Sequence, residues 1–188
     1  MTSSAEESAN ARDTIRAAGV ALLSTLDRTP LPESLDDRLD AFCEIAFAAL
    51  APTGVCWLGF YRVTDDGEAM TLFACRDRPA CSPIGLHGVC GQSLRSGRTR
   101  IVPDVLELGD AYVACDPRDR SEIVVPLLAP GEPPRSDHPA TLVLDLDSTE
   151  VGRFSDDDDE VLREALQRAG LSPVIRGPAL LGPWTESG

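Results

Sequence analysis

Apolar side chains recur at helical spacing through the first fifty residues. Over residues 11–27 they fall every three or four positions, which predicts an amphipathic helix. The Thr29-Pro-Leu-Pro32 segment ends that helix, because proline lacks a backbone N–H. A second helix is predicted to begin at Ser34, with Asp37 in the capping-box position and an apolar face of Leu35, Leu39, Phe42, Ala46 and Leu50. Residues 1–10 are predicted to form a disordered leader.

After Pro52 the pattern becomes that of strands. Val55–Val63 and Ala69–Cys75 flank Asp65-Asp66-Gly67, a hairpin turn signal. Further strands are predicted over residues 99–102, 121–128 and 140–147, and one short helix over residues 91–96. Long loops over residues 76–90 and 104–120 separate these elements. This part of the chain therefore predicts an antiparallel sheet.

A last helix is predicted to begin after Ser155, with Asp158 three residues on and acidic residues in its first turn. Gly170 ends it. The remaining residues, 171–188, are predicted to be an irregular tail rich in proline and glycine. The order helix, helix, several strands, helix predicts the α+β class, with the N- and C-terminal helices on one face of the sheet in a single domain over residues 11–170.

Composition narrows the class of partner. The 188-residue chain has 31 acidic and 17 basic residues and a formal charge of −14, which argues against binding nucleic acid or an anionic membrane surface. The acidic, polar residues 1–10 lack the features of an export signal. We therefore expect a cytoplasmic protein whose six cysteines are thiols and not a disulfide framework.

Three of the six cysteines stand out by position. Cys81, Cys90 and Cys115 are all placed in polar or glycine-rich loops, where reactive groups concentrate. Zinc is the competing interpretation. It is disfavoured because the chain has no Cys-x-x-Cys pair and only His87 and His138 as further ligands, so we expect no metal site. By contrast, Cys43 and Cys56 lie among apolar residues and are predicted to be small core side chains.

Acidic residues follow the same segment. In the strand over residues 141–147, Asp145 and Asp147 share one face and the leucines the other, which is predicted to pack under the helices. Glu122 begins the preceding strand. In a recess, mutual repulsion would raise a carboxyl pKa and create a proton donor; the alternative is an edge strand with solvated acids. Trp57 and Tyr61, four residues apart, share a face, either as core residues or as an aromatic wall.

Taken together, these segments resemble the free methionine-(R)-sulfoxide reductases, a family with the GAF fold. The resemblance covers residues 54–165, and two loops, residues 82–89 and 109–113, depart from the usual family pattern. The matching motifs are Trp57-Leu-Gly-Phe-Tyr61, Gly88-Val-Cys-Gly91, Val113-Ala-Cys-Asp116, Ser121-Glu-Ile-Val-Val-Pro-Leu127, Val143-Leu-Asp-Leu-Asp-Ser148 and Gly152-Arg-Phe-Ser-Asp156.

The resemblance implies a mechanism. Cys115 would be the nucleophile and would become a sulfenic acid, with Cys81 or Cys90 as the recycling cysteine and thioredoxin or an equivalent dithiol as reductant. The family is typically homodimeric and needs no cofactor. The resemblance further assigns substrate binding and proton donation to the site residues Trp57, Tyr61, Glu122, Asp145 and Asp147.

Two other functions compete with reduction of the free amino acid. One is a GAF sensor module that binds a small molecule or responds to oxidants without catalysis. The other is a reductase for protein-bound sulfoxide, which would need an open groove.

Overall fold

The computed structural model describes residues 3–78, 80–111, 116–128, 140–174 and 179–181, with the backbone alone for residues 3–12, 110, 111 and 181. Its helices are α1 (Ser3–Arg28), α2 (Leu35–Leu50), α3 (Val89–Ser96) and α4 (Asp156–Arg168). Its strands are β1 (Val55–Val63), β2 (Ala69–Arg76), β3 (Ile84–Gly85), β4 (Arg100–Val102), β5 (Ser121–Leu128), β6 (Leu142–Ser148), β7 (Ser172–Pro173) and β8 (Leu180–Leu181).

These strands form one sheet in the order β3-β2-β1-β6-β5-β4-β8, and β7 pairs with the outer part of β5. The pairings among the first six strands are antiparallel, and β8 lies parallel to β4. The predicted antiparallel α+β sheet is therefore confirmed. Strand β6 lies between β1 and β5, so both of its edges are hydrogen-bonded to neighbouring strands.

Three helices pack on one face of the sheet. The leucines of β6 point into this side, where Leu142, Leu144 and Leu146 are at most 1% exposed, among side chains of α1, α2 and α4. This confirms the prediction that the leucine face packs under the terminal helices. Full burial of each leucine stabilises the fold by about 1.5–3 kcal/mol, so this face fixes the register of β6.

The opposite face carries α3 and the connecting loops. Its apolar side chains include Trp57, Tyr61 and Val143, which form a second, smaller core with the first half of α3. Gly91 allows the backbone at Leu86 to approach α3 closely. A Cβ atom at this position would lie 2.1 Å from the carbonyl oxygen of Leu86. Hence the segment before α3 lies directly over the sheet and encloses the space beneath it.

The structure differs from the predicted elements in four places. Helix α1 begins at Ser3, so residues 3–10, predicted to be a disordered leader, are helical; alanine and glutamate are good helix formers. The capping box predicted at Ser34 does not form, and Arg38 donates to the carbonyls of Pro32 and Glu33 just before the helix. Helix α3 begins two residues before the predicted Gly91. In the tail, β7 and β8 pair with open sheet edges.

The capping box at the start of α4 is confirmed. The carboxylate of Asp158 accepts from the backbone N–H of Ser155 at 2.9 Å. In the described ranges, no helix is long and apolar enough to cross a membrane.

Candidate active site

The register of β6 brings the predicted carboxyl groups together. Asp147 lies opposite Trp57 of β1 on one side and opposite Glu122 of β5 on the other. Asp145 lies opposite Gly59 and Val124. Because facing residues in a sheet point to the same side, Glu122, Asp145 and Asp147 all point to the face covered by α3.

These acids line a pocket and not a solvated edge. Glu122 and Asp145 are 9% and 8% exposed, and Asp147 is half-buried. The pocket is also lined by Tyr61, by Cys90 and by the segments 84–85 and 88–89 that precede and begin α3. The alternative of an edge strand with solvated carboxylates is therefore wrong: β6 is a central strand.

Burial raises the pKa of all three acids well above the usual values. Repulsion adds to the effect, chiefly from Asp147 on Glu122, from Glu122 on Asp145 and from Asp145 on Asp147. In addition, Oδ1 of Asp145 is buried and has no hydrogen-bond partner among the described residues. Such a group is expected to hold a proton or to receive a hydrogen-bond donor from a ligand.

Cys90 lies in the first turn of α3 and not, as predicted, in a loop. It is 8% exposed, and its Sγ lies 3.3 Å from Oδ2 of Asp145, to which the thiol donates. Burial raises the pKa of this thiol well above its usual value, and the charges of Asp145 and Glu122 raise it further. Cys90 is therefore a neutral thiol at neutral pH and a poor nucleophile.

Cys81 and the two aromatic residues are linked. Cys81 is exposed. The hydroxyl of Tyr61 donates to the carbonyl of Cys81 at 3.0 Å, and Nε1 of Trp57 donates to the carbonyl of Arg78 at 2.8 Å. Tyr61 lines the pocket, whereas Trp57 packs beside it over Gly59, where a Cβ atom would lie 2.5 Å from the indole ring. Both aromatic residues therefore hold the Cys81 segment in place.

Cys115, the predicted nucleophile, and His138 lie outside the described residues. Asp116 is the first residue after Cys115 whose structure is described. His87 is exposed. In the part of the chain that is described, no group of three or more side chains has the arrangement of a metal site.

A fourth acid, Asp119, joins the predicted three. It is 5% exposed and lines the pocket, and burial raises its pKa. The Sγ atom of Cys56 lies 3.5 Å from Oδ1 of Asp119 and 3.4 Å from the carbonyl oxygen of Asp147. Sequence analysis missed Asp119 because it precedes β5, where strand alternation gives no signal, and because its arginine neighbours make it look like a solvated charge.

Cys56 also differs from its prediction as a small core residue. It is half-buried at the rim of the carboxyl group cluster, and its pKa is raised to about 12 by burial and by Asp119. Its thiol is therefore protonated and can donate a hydrogen bond to the neighbouring acid.

Comparison with solved structures defines the class of protein. A solved GAF domain aligns with a TM-score of 0.64 at 24% sequence identity, over 85% of this chain and 86% of that chain. The α+β sheet with three helices on one face and a covered pocket on the other is thus a GAF fold, as predicted. No family model matches the chain.

Sequence comparison shows the particular family. The chain is 36% identical over 123 residues to the free methionine-R-sulfoxide reductase of Escherichia coli (strain K12). The matched region covers 65% of this chain and 68% of that protein. The X-ray structure of free methionine-R-sulfoxide reductase from Neisseria meningitidis, in complex with its substrate, aligns at a TM-score of 0.62 and 29% identity over 82% of this chain and 85% of that chain. The chain belongs to the free methionine-R-sulfoxide reductase family and is an oxidoreductase.

The raised pKa of Asp145 predicts how stability depends on pH. The unfolded value is about 3.9, so above it the folded protein binds more protons than the unfolded chain. The stability that this proton binding by Asp145 adds to the folded protein is fully present below the unfolded pKa. It is lost as the pH rises towards the folded pKa. Asp145→Asn should therefore flatten the fall of the unfolding free energy with pH by up to about 1.4 kcal/mol per pH unit.

Urea unfolding at several values between about pH 5 and pH 8 measures this slope. Asp65→Asn, in the exposed hairpin turn, is the matched control and should leave the slope unchanged. Equal slopes in the wild type and in Asp145→Asn would contradict a raised pKa at Asp145.

Proposed function

We propose that the protein reduces free L-methionine-(R)-sulfoxide to methionine by cysteine sulfenic acid and disulfide chemistry, without a cofactor. The observation that carries this proposal is the pocket in which three acids with raised pKa values meet Tyr61. Family membership supplies the substrate class, because the relatives are reductases of this free amino acid.

The pocket supplies what the reaction needs. The oxygen of a sulfoxide leaves more readily when it is protonated, and an acid with a pKa near neutral pH can provide that proton. The ammonium group of a free amino acid pairs with a carboxylate. Glu122, Asp145 and Asp147 are proposed to share these two tasks, and the partnerless Oδ1 of Asp145 is the oxygen best placed to meet a ligand.

Cys115 is proposed as the nucleophile. Its thiolate attacks the sulfoxide sulfur and forms an S–S bond, and the sulfoxide oxygen is protonated. The S–O bond and the new S–S bond then break as the hydroxyl passes to the sulfur of Cys115, which releases methionine. The substrate sulfur is reduced by two electrons to the thioether of methionine, and Cys115 is oxidised to a sulfenic acid. A second thiol then attacks the sulfenic sulfur, a disulfide forms, and water leaves.

Cys81 is proposed as that second thiol, and Cys90 is the less suitable candidate. Cys81 is exposed, so a protein dithiol can reach it to regenerate the enzyme. Cys90 is buried and donates to Asp145, which keeps its sulfur neutral. Exposure favours exchange at Cys81, and the raised pKa of Cys90 counts against Cys90.

Further proposals rest on the family resemblance. We propose thioredoxin or an equivalent dithiol as the reductant, a homodimer as the working form, and a cytoplasmic location with a role under oxidative stress. A reducing compartment suits the free thiols of the described residues. Sedimentation analysis tests the dimer, and a monomer would refute that proposal. Cell fractionation tests the location, and an exported protein would refute the cytoplasmic one.

The function is tested by a coupled assay with thioredoxin, thioredoxin reductase and NADPH. Consumption of NADPH is expected with free methionine-(R)-sulfoxide and not with the S epimer or with a sulfoxide inside a peptide. Cys115→Ser should lower the rate by about 10³-fold or more, because the nucleophile is lost. The matched control is Cys43→Ala, because Cys43 is buried on the helix side of the sheet.

Unchanged turnover in Cys115→Ser would refute the mechanism. Binding of a small metabolite without turnover of any sulfoxide would instead favour the sensor alternative.

The two candidate recycling cysteines give different results. Cys81→Ser is expected to release about one methionine per protein. Turnover with thioredoxin should then stop, because the sulfenic acid on Cys115 has no second thiol with which to form a disulfide. Cys90→Ser should sustain repeated turnover, because a serine hydroxyl still donates to Asp145. Quenched-flow analysis of methionine, with sulfenic acid trapped by dimedone, measures both variants. Sustained turnover by Cys81→Ser together with arrest of Cys90→Ser would reverse the assignment.

A further inference from the structure

The segment that leads from β2 to Cys81 is fixed to the pocket at two points. Trp57 donates to the carbonyl of Arg78, and Tyr61 donates to the carbonyl of Cys81. A third contact reaches the same place, because the thiol of Cys75 lies 3.5 Å from the carbonyl oxygen of Arg78. All three use backbone carbonyls of the segment, so they are independent of the side chain of Arg78.

That side chain makes a separate connection. The guanidinium group of Arg78 forms an ion pair with the carboxylate of Asp116, a residue distant in sequence that directly follows Cys115. The carboxylate of Asp77 also approaches the guanidinium group of Arg78, at 3.7 Å. Through this ion pair with Asp116, Arg78 links the segment of Cys81 to the residue that directly follows Cys115.

The carboxylate of Asp116 keeps the negative charge that the ion pair with Arg78 needs. Hydrogen bonds from Arg118, and the positive charges of Arg118 and Arg78, hold the pKa of Asp116 well below its usual range, so it stays ionised. Its side chain is 15% exposed, which weakens screening by solvent. Arg118 binds it from within the same loop at 2.7 Å, whereas Arg78 binds it from another part of the chain.

A disulfide requires close approach of the two cysteine backbones, with Cα atoms about 4.4–6.8 Å apart. Building on the function proposed above, we propose that Arg78 is a positioning residue for the disulfide step. Its bond to Asp116 holds the Cys81 segment against the loop of Cys115, so that the sulfenic acid condenses with Cys81 and water leaves. Arg78 touches neither substrate nor sulfur, and the reduction of the sulfoxide itself does not need it.

The test is a single turnover that separates the two steps. Reduced protein is mixed with one equivalent of methionine-(R)-sulfoxide and no reductant. Methionine release is followed by chromatography, and sulfenic acid and disulfide are followed by dimedone trapping and intact mass. In Arg78→Gln, methionine release should stay within about threefold of the wild type, whereas the Cys81–Cys115 disulfide should form about 10- to 100-fold more slowly.

Three further variants sharpen the result. Arg76→Gln is the matched control, because Arg76 pairs with Asp40 and Glu44 of α2, away from Asp116, and it should form the disulfide at the wild-type rate. Arg118→Gln removes a guanidinium from the same carboxylate without touching the Cys81 segment, so it should slow the disulfide far less than Arg78→Gln. Arg78→Lys keeps the charge and should recover most of the rate.

The outcomes are distinct. Disulfide formation in Arg78→Gln at the wild-type rate would overturn the inference, as would equal slowing by Arg76→Gln or Arg118→Gln. Equal slowing of methionine release and of disulfide formation would also overturn it, because it would indicate a general loss of structure. A wild-type protein that releases no methionine would instead refute the proposed function itself.

Discussion

Burial of carboxyl groups on a central strand is the constraint on which the site depends. An ionised carboxylate placed out of water costs several kcal/mol, so a protein keeps such groups only where packing elsewhere offsets them. In this protein the offset comes from the other face of the same strand. Leu142, Leu144 and Leu146 are fully buried among the helices, and because side chains alternate, they force Asp145 and Asp147 into the pocket.

The neighbouring strands complete the arrangement. Glu122 faces Asp147 from β5, and Gly59 leaves room over β1 for the ring of Trp57. Trp57 and Tyr61 then use their polar atoms to hold the segment that carries Cys81. One sheet face therefore serves both halves of the proposed reaction: the acids receive the substrate, and the aromatic residues position the thiol that ends the cycle.

Much of this was predictable from local pattern. Alternation in residues 141–147 predicted that Asp145 and Asp147 share one face of the strand. The apolar faces of the predicted helices indicated that the leucine face packs against those helices. Two features escaped prediction because they depend on tertiary contacts. Asp119 joins the pocket from an irregular turn, and Cys90 is buried in the first turn of α3. Sequence alone also could not show that β6 is central, which is what turns solvated acids into buried ones.

The central claim is that these acids are held in a pocket that raises their pKa values well above the usual range. Carboxyl carbon NMR on protein labelled at aspartate and glutamate, assigned with the Glu122→Gln, Asp145→Asn and Asp147→Asn variants, measures their titration directly. We expect at least one of the three to titrate well above the usual values of about 3.9 and 4.3. Titration of all three at those usual values would contradict the account.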